Sequence, residues 1–257
     1  MALRAVNLSL FVAGFELLRG IDLQVAAGEV TVVVGPNGAG KSSLLKVLCG
    51  ELAPSAGRIE LNGRELAQWS DSARARQLAV LPQQLTLSFP FSAEEVVALG
   101  RIPHASGAQR DRQIVAAALR LLDASYLQRR PYTSMSGGEK QRVQLARVIA
   151  QVWQPAAEGA RVLLLDEPTS AFDLQHQQMT LTLARRLAAE GAAVLMVVHD
   201  LNLAASVADQ LVVMKDGTIA AHGAPSAILS ERLIDEVFKV DCSIVPHPRS
   251  GLPMVVV

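Results

Sequence analysis

Hydrophobic positions in this chain come in short runs, each stopped by glycine or a polar turn, and their spacing alternates between strand and helix periods. Val30-Thr-Val-Val-Val34 is apolar and β-branched, ends at Gly35, and predicts a buried strand. Lys41–Leu48 predicts a helix closed by Gly50. Val6–Leu10 and Ile21–Val25 alternate in polarity and predict an antiparallel hairpin, which Gly57–Asn62 with Gly63 extends. A further strand is predicted at Leu78–Leu81, leading into Pro82-Gln83-Gln84.

From Ser92 the pattern turns helical. Ser92-Ala93-Glu94-Glu95 is a capping-box sequence before Val96, Val97 and Leu99. Gln109–Leu122 and Gly138–Val152 follow as amphipathic helices. This block, about 88–155, lies between two β-rich portions and reads as an inserted lobe. Strands and helices then alternate over Arg161–Leu165, Leu174–Glu190, Ala193–Val198, Leu201–Ala208 and Gln210–Met214. Such alternation implies a largely parallel sheet with helices on both faces. Asp216-Gly217 is a hairpin turn, Pro225–Phe238 adds two short helices, and Val255–Val257 a late strand.

Composition narrows the picture without redirecting it. The 257 residues are 50% hydrophobic and 19% charged, as in a globular chain with a sizeable core. Lys and Arg total 24, as do Asp and Glu, so no net field draws the chain to nucleic acid or an anionic membrane. The longest apolar runs fall far short of the roughly 18–20 residues of a bilayer span. Met1-Ala2-Leu3-Arg4 has no signal-peptide character. Cys49 and Cys242 form no CxxC pair, which favours a reduced, cytoplasmic setting.

Chemistry concentrates first in Gly35-Pro36-Asn37-Gly38-Ala39-Gly40-Lys41-Ser42-Ser43, between the Val30–Val34 strand and the next helix. Glycines there let backbone N–H groups curl around phosphate, and the helix adds its positive end. Lys41 is expected on the β- and γ-phosphates and Ser42 on Mg²⁺. Asp166 and Glu167 end an apolar run, at the strand edge where open α/β sheets bind ligands. Asp166 is suited to hold Mg²⁺ and Glu167 to act as general base toward water. His199 ends another buried run. Gln83 or its neighbour Gln84 opens the helical block. Ser136 can cap the next helix, while Gly137 and Gly138 permit close approach to phosphate.

These elements stand in the order of a known family. The phosphate loop, glutamine, Ser136-Gly-Gly-Glu-Lys-Gln-Arg142, Leu163-Leu-Leu-Asp-Glu-Pro168, Ser170-Ala-Phe-Asp173 and His199 together resemble the ABC ATPases over nearly the whole chain. The resemblance implies an α/β P-loop NTPase (RecA-like) core with a parallel sheet, a small antiparallel β subdomain and an inserted helical subdomain. The core would take about 1–87 and 156–257, the insertion about 88–155. It implies that Gln83 is the family's loop glutamine on Mg²⁺ or its water, and that His199 contacts the γ-phosphate. It also implies a head-to-tail homodimer in which Ser136, Gly137, Gly138 and Asp173 face ATP held by the other chain. The aromatic residue that stacks on adenine would fall near Val12, where Phe11 and Phe15 are adjacent. Phe172 stands where the family usually has Leu.

With no membrane span, such a subunit would sit on the cytoplasmic face of the inner membrane. It would work with separate permease subunits and, through them, a periplasmic substrate-binding protein. The permease groove is expected near Phe89-Pro-Phe91 and Val96–Arg101. Phe89-Pro-Phe-Ser92, Gly100-Arg101, Val143–Trp153, the Trp153–Gly159 loop and His247-Pro-Arg-Ser-Gly-Leu-Pro253 resemble the hemin-import ATPases, a group allied to siderophore and cobalamin importers. Soluble ABC proteins of translation or DNA repair generally carry two such domains or a coiled-coil insertion, and this sequence has neither. Ser136-Gly-Gly-Glu139 argues against a P-loop kinase.

Overall fold

The computed structural model describes residues 1–83, 87–155 and 158–257. Gln84, the alternative to Gln83, lies outside them, as does part of the 153–159 loop. Along the first portion run β1 (Leu3–Val12), β2 (Phe15–Val25), β3 (Val30–Val34), α1 (Lys41–Leu48), β4 (Ala56–Leu61), β5 (Arg64–Glu65), α2 (Asp71–Gln77) and β6 (Leu78–Leu81). The helical lobe contributes α3 (Ala93–Ala98), α4 (Ala108–Leu121) and α5 (Gly137–Gln151). Then come β7 (Val162–Asp166), α6 (Leu174–Ala189), β8 (Ala193–Val197), α7 (Leu201–Val207), β9 (Gln210–Lys215) and β10 (Thr218–Gly223). The chain ends in α8 (Pro225–Ile228), α9 (Glu231–Phe238), β11 (Ser243–Pro246) and β12 (Pro253–Val256).

The central sheet has the order β10-β9-β3-β8-β7-β6, parallel from β9 to β6, with β10 turning back on β9. Its strands β3, β7 and β8 are buried along their whole length and mostly apolar because both faces are covered. Val32, Leu163, Leu165, Val194 and Met196 pack on one side with the helical lobe. Val33, Val162, Leu164, Leu195 and Val197 pack on the other, against α1 and the small antiparallel sheet β2-β1-β4-β5. Removing one such leucine would cost about 2–5 kcal/mol. The topology sends the carboxyl ends of β3, β7 and β8 to one edge, which is where the phosphate loop, Asp166 and His199 emerge.

Two elements go beyond the sequence reading. Helix α2, Asp-Ser-Ala-Arg-Ala-Arg-Gln, has no apolar stripe and buries only Gln77. Its start is nevertheless signalled by Ser70, whose hydroxyl accepts from the Ala73 N–H, and by Asp71 in the first turn. The late strand finds its partner in β11, with Ile244 opposite Val255. Asn202 fastens this hairpin to α7 by bonding both the N–H and the C=O of Val255.

Candidate functional site

The loop from Gly35 to Gly40 leaves β3 and curls back before α1 begins at Lys41. Gly40 carries φ +96°, and a Cβ there would lie 2.8 Å from the Leu17 carbonyl, so only glycine makes this turn. The Lys41 ammonium donates to the carbonyls of Gly35 (2.7 Å) and Pro36 (2.9 Å), which holds it inside the loop. Burial lowers its pKa, with Glu167 and Asp166 opposing that shift. A cavity of about 310 Å³ is lined by Leu17, residues 37–43, Gln83, Glu167 and His199. The structure therefore gathers the phosphate loop, the glutamine and the two strand-end residues around one space.

Asp166 closes β7 and is buried, and its Oδ1 has no hydrogen-bond partner. It lines an adjoining space of about 340 Å³, which meets the phosphate cavity at Ser42 and Gln83. Burial raises its pKa above the usual carboxylate range; Ser42 offsets this and the neighbouring Glu167 adds to it. An unpartnered buried carboxylate oxygen beside a serine hydroxyl suits a small hard cation that takes its remaining ligands from phosphate and water. Among the described residues no cluster of three or more His, Cys, Asp or Glu forms a separate metal site.

Glu167 follows with φ +49°, a left-handed conformation that costs a non-glycine residue about 1–2 kcal/mol. Its neighbours over-determine that conformation. The Glu167 N–H bonds the Val197 carbonyl, and its own carbonyl accepts from the Gln141 amide at 2.9 Å. Its carboxylate accepts from the Gln83 amide at 2.8 Å and touches His199 Nε2. A carboxylate only accepts, so His199 donates from Nε2. Sequence reasoning missed Gln141, whose signal is only its place two residues beyond Glu139 on the same helix.

The Ser136–Glu139 segment is a full capping box: the Ser136 hydroxyl accepts from the Glu139 N–H, and the Glu139 carboxylate accepts from the Ser136 N–H. Arg130 adds an ion pair to Glu139 at 2.8 Å. The two glycines differ. A Cβ on Gly138 would lie 3.1 Å from the Ala171 carbonyl of the same chain, whereas one on Gly137 would meet nothing within 4 Å. Ser136, Gly137 and Asp173 are exposed and do not line the phosphate cavity of their own chain. Asp173 caps α6, and Leu174 beside it is 79% exposed.

Within the stretch expected to border a permease, Val96, Val97, Gly100 and Arg101 are buried in the lobe. Arg101 is spent on Asp111, Ser106 and the Ala150 carbonyl, and a Cβ on Gly100 would collide with the Arg147 carbonyl. The apolar surface there is made by Phe89, Phe91, Leu99 and Ile102. At the tip of the β1–β2 hairpin Phe15, opposite Val12, is 72% exposed, while Phe11, opposite Glu16, lies on the other face; a bulge at Leu17 separates both from the regular part of the pairing. A cleft of about 860 Å³ on the helical lobe, lined by Arg110, Arg120 and Trp153 among others, contains no carboxylate and none of these residues.

Comparison with known proteins finds relatives in sequence and in fold. Residues 18–170 match the ABC transporter family. A hemin import ATP-binding protein of Pseudomonas entomophila is 53% identical over 94% of each chain. One from Pseudomonas aeruginosa is 48% identical over 99% of each. Among solved structures, an inward-facing ABC transporter described as of metal-chelate type superposes with a TM-score of 0.79 at 29% identity, covering 99% of this chain and 96% of that one.

Proposed function

The chain belongs to the ABC transporter family, as an ATP-hydrolysing subunit, and we propose that its cargo is hemin and that it works as a pair beneath a membrane permease. What carries the paired reading is the division of the site. One cavity collects the phosphate loop, Gln83, Glu167 and His199, while Ser136, Gly137 and Asp173 stand exposed outside it. Two chains arranged head to tail would bring each exposed set onto the other's nucleotide.

Within each site, residues 35–43 cradle the phosphates, and Lys41 leaves the Gly35 and Pro36 carbonyls for the β- and γ-oxygens. Ser42 and Asp166 would hold Mg²⁺, with Gln83 at hand for its water shell. The ion supplies charge neutralisation between the phosphates when bound. Glu167 takes a proton from the attacking water as the water oxygen bonds the γ-phosphorus and ADP leaves. His199 turns the Nε2–H now given to Glu167 toward the γ-phosphate. Ser136 and the N-terminus of α5 offer N–H groups to the same phosphate from the other chain.

No helix among the described residues is long and apolar enough to cross a membrane, so transport requires a separate permease. The exposed Phe89, Phe91, Leu99 and Ile102 offer that partner an apolar surface on the helical lobe. We place the pair on the cytoplasmic face of the inner membrane, fed through the permease by a periplasmic hemin-binding protein. The test is ATPase activity of the subunit reconstituted in vesicles with the permease encoded beside it. Stimulation by the hemin-loaded binding protein is expected. Stimulation only by a ferric siderophore or cobalamin would reassign the cargo, and failure to associate with any permease would overturn the transport reading.

A further inference from the structure

Two consecutive residues of α5 reach from the helical lobe to the segment that leaves β7. Gln141 spans the Glu167 carbonyl (2.9 Å) and the Ala171 N–H (3.3 Å). Arg142, only 6% exposed, is fixed on its own lobe by the Asp123 carbonyl (2.7 Å), the Tyr126 hydroxyl (2.6 Å) and the face of the Tyr126 ring. The same Nη1 that meets the Asp123 carbonyl also meets His176 Nε2 at 3.1 Å, and His176 Nδ1 meets Asp173 Oδ1 at 2.7 Å. The His176 ring lies against Phe172.

Chemistry fixes the direction of this chain. A guanidinium has donors only, so Nε2 must accept, and a carboxylate has acceptors only, so Nδ1 must carry the proton. His176 thus has one task on each nitrogen. A side chain lacking either the acceptor or the donor breaks the connection between lobe and loop.

We propose that His176 is a positioning residue: through the chain Arg142–His176–Asp173 it sets the Ser136–Gly138 turn and the Ser170–Asp173 loop in one geometry, so that both meet the partner chain together. This rests on the paired-site reading above. The nucleotide cavity does not include His176, so its loss should leave nucleotide binding by one chain alone and weaken pairing.

Two measurements test this. In a Glu167→Gln background at fixed protein concentration, sedimentation velocity gives the ATP concentration at which half the chains pair. His176→Leu should raise it by at least about fivefold, the low end of coupling between sites. ADP affinity measured by calorimetry should stay within about twofold, and His176→Gln, which keeps one donor and one acceptor, should recover most of the loss. An unchanged midpoint in His176→Leu, or an equal loss of ADP affinity, overturns the proposal. Nitrogen-15 NMR of the imidazoles in the unpaired chain is the second measurement. The Nδ1-protonated ring is expected for His176, and an Nε2-protonated one overturns the proposal even if the parent chain does not pair. Failure of the Glu167→Gln parent to pair in saturating ATP would instead count against the paired site itself.

Discussion

His199 Nε2 and a carboxylate oxygen of Glu167 are in contact across the ends of adjacent strands β8 and β7. Gln83 donates to the same oxygen, so the carboxylate is held by two donors from two different loops. A base so engaged is oriented in advance, and nucleotide entry need only redirect the donors. Glu167→Gln keeps the shape and hydrogen-bonding capacity of the side chain but removes its basicity. Phosphate release should fall by about 100-fold or more, with ADP affinity unchanged. Size-exclusion chromatography in ATP should then show a stable pair.

Asp166 should limit the stability of the nucleotide-free chain. Its pKa is raised by burial, with Glu167 adding to the shift, so the folded state keeps this proton to higher pH than the unfolded chain does. Stability from this group is therefore greatest below the unfolded carboxylate value of about 3.9 and falls as pH rises toward the raised folded value, above which the full penalty stands. Asp166→Asn should raise the melting temperature at neutral pH by about 2–4 °C for each kcal/mol relieved, and turnover should be lost. The gain should shrink on acidification; calorimetric scans at neutral and acidic pH measure both.

Phe15 is the more exposed of the two aromatic side chains at the hairpin tip, two residues along β2 from Leu17 of the phosphate cavity. Phe11 belongs to the other face of the hairpin. If the adenine ring rests on Phe15, Phe15→Ala should weaken ADP binding by about 1–3 kcal/mol, the range for a base stacked on an aromatic ring. Phe11→Ala should leave it unchanged. Calorimetric titration with ADP separates the two, and equal effects would remove Phe15 from this role.

Elements with a strong hydrophobic period were legible in the sequence nearly to the residue. Val30–Val34 and Lys41–Leu48 begin and end where apolar runs and glycines put them. Helix α2 was not, because an exposed helix with one buried residue leaves no period to read. The candidate site residues could be picked out because each sits in a short local motif. Their mutual contacts were not: Gln141 against the Glu167 carbonyl, and Arg142 against His176, join positions 26 and 34 apart, and that pairing is set by how α5 packs. Which residues of Val96–Arg101 face outward was not legible for the same reason. The capping box at Ser92 starts that helix, but its apolar face turns into the lobe.

Gly137 and Gly138 should separate by phenotype although they are adjacent and chemically identical. Gly138 lies against the Ala171 carbonyl of its own chain, and a methyl group there must push that loop by a few tenths of an ångström. Gly138→Ala should lower the melting temperature of the isolated chain as well as turnover. Gly137 has open space around it, so Gly137→Ala should leave the melting temperature within about 1 °C, a surface substitution in energetic terms. Its turnover should still fall if that space receives the partner chain's phosphate. Ser136→Arg, which fills the space with a long side chain, should abolish ATP-driven pairing while ADP binding persists. Full activity in both Gly137→Ala and Ser136→Arg would mean that this turn never meets a nucleotide.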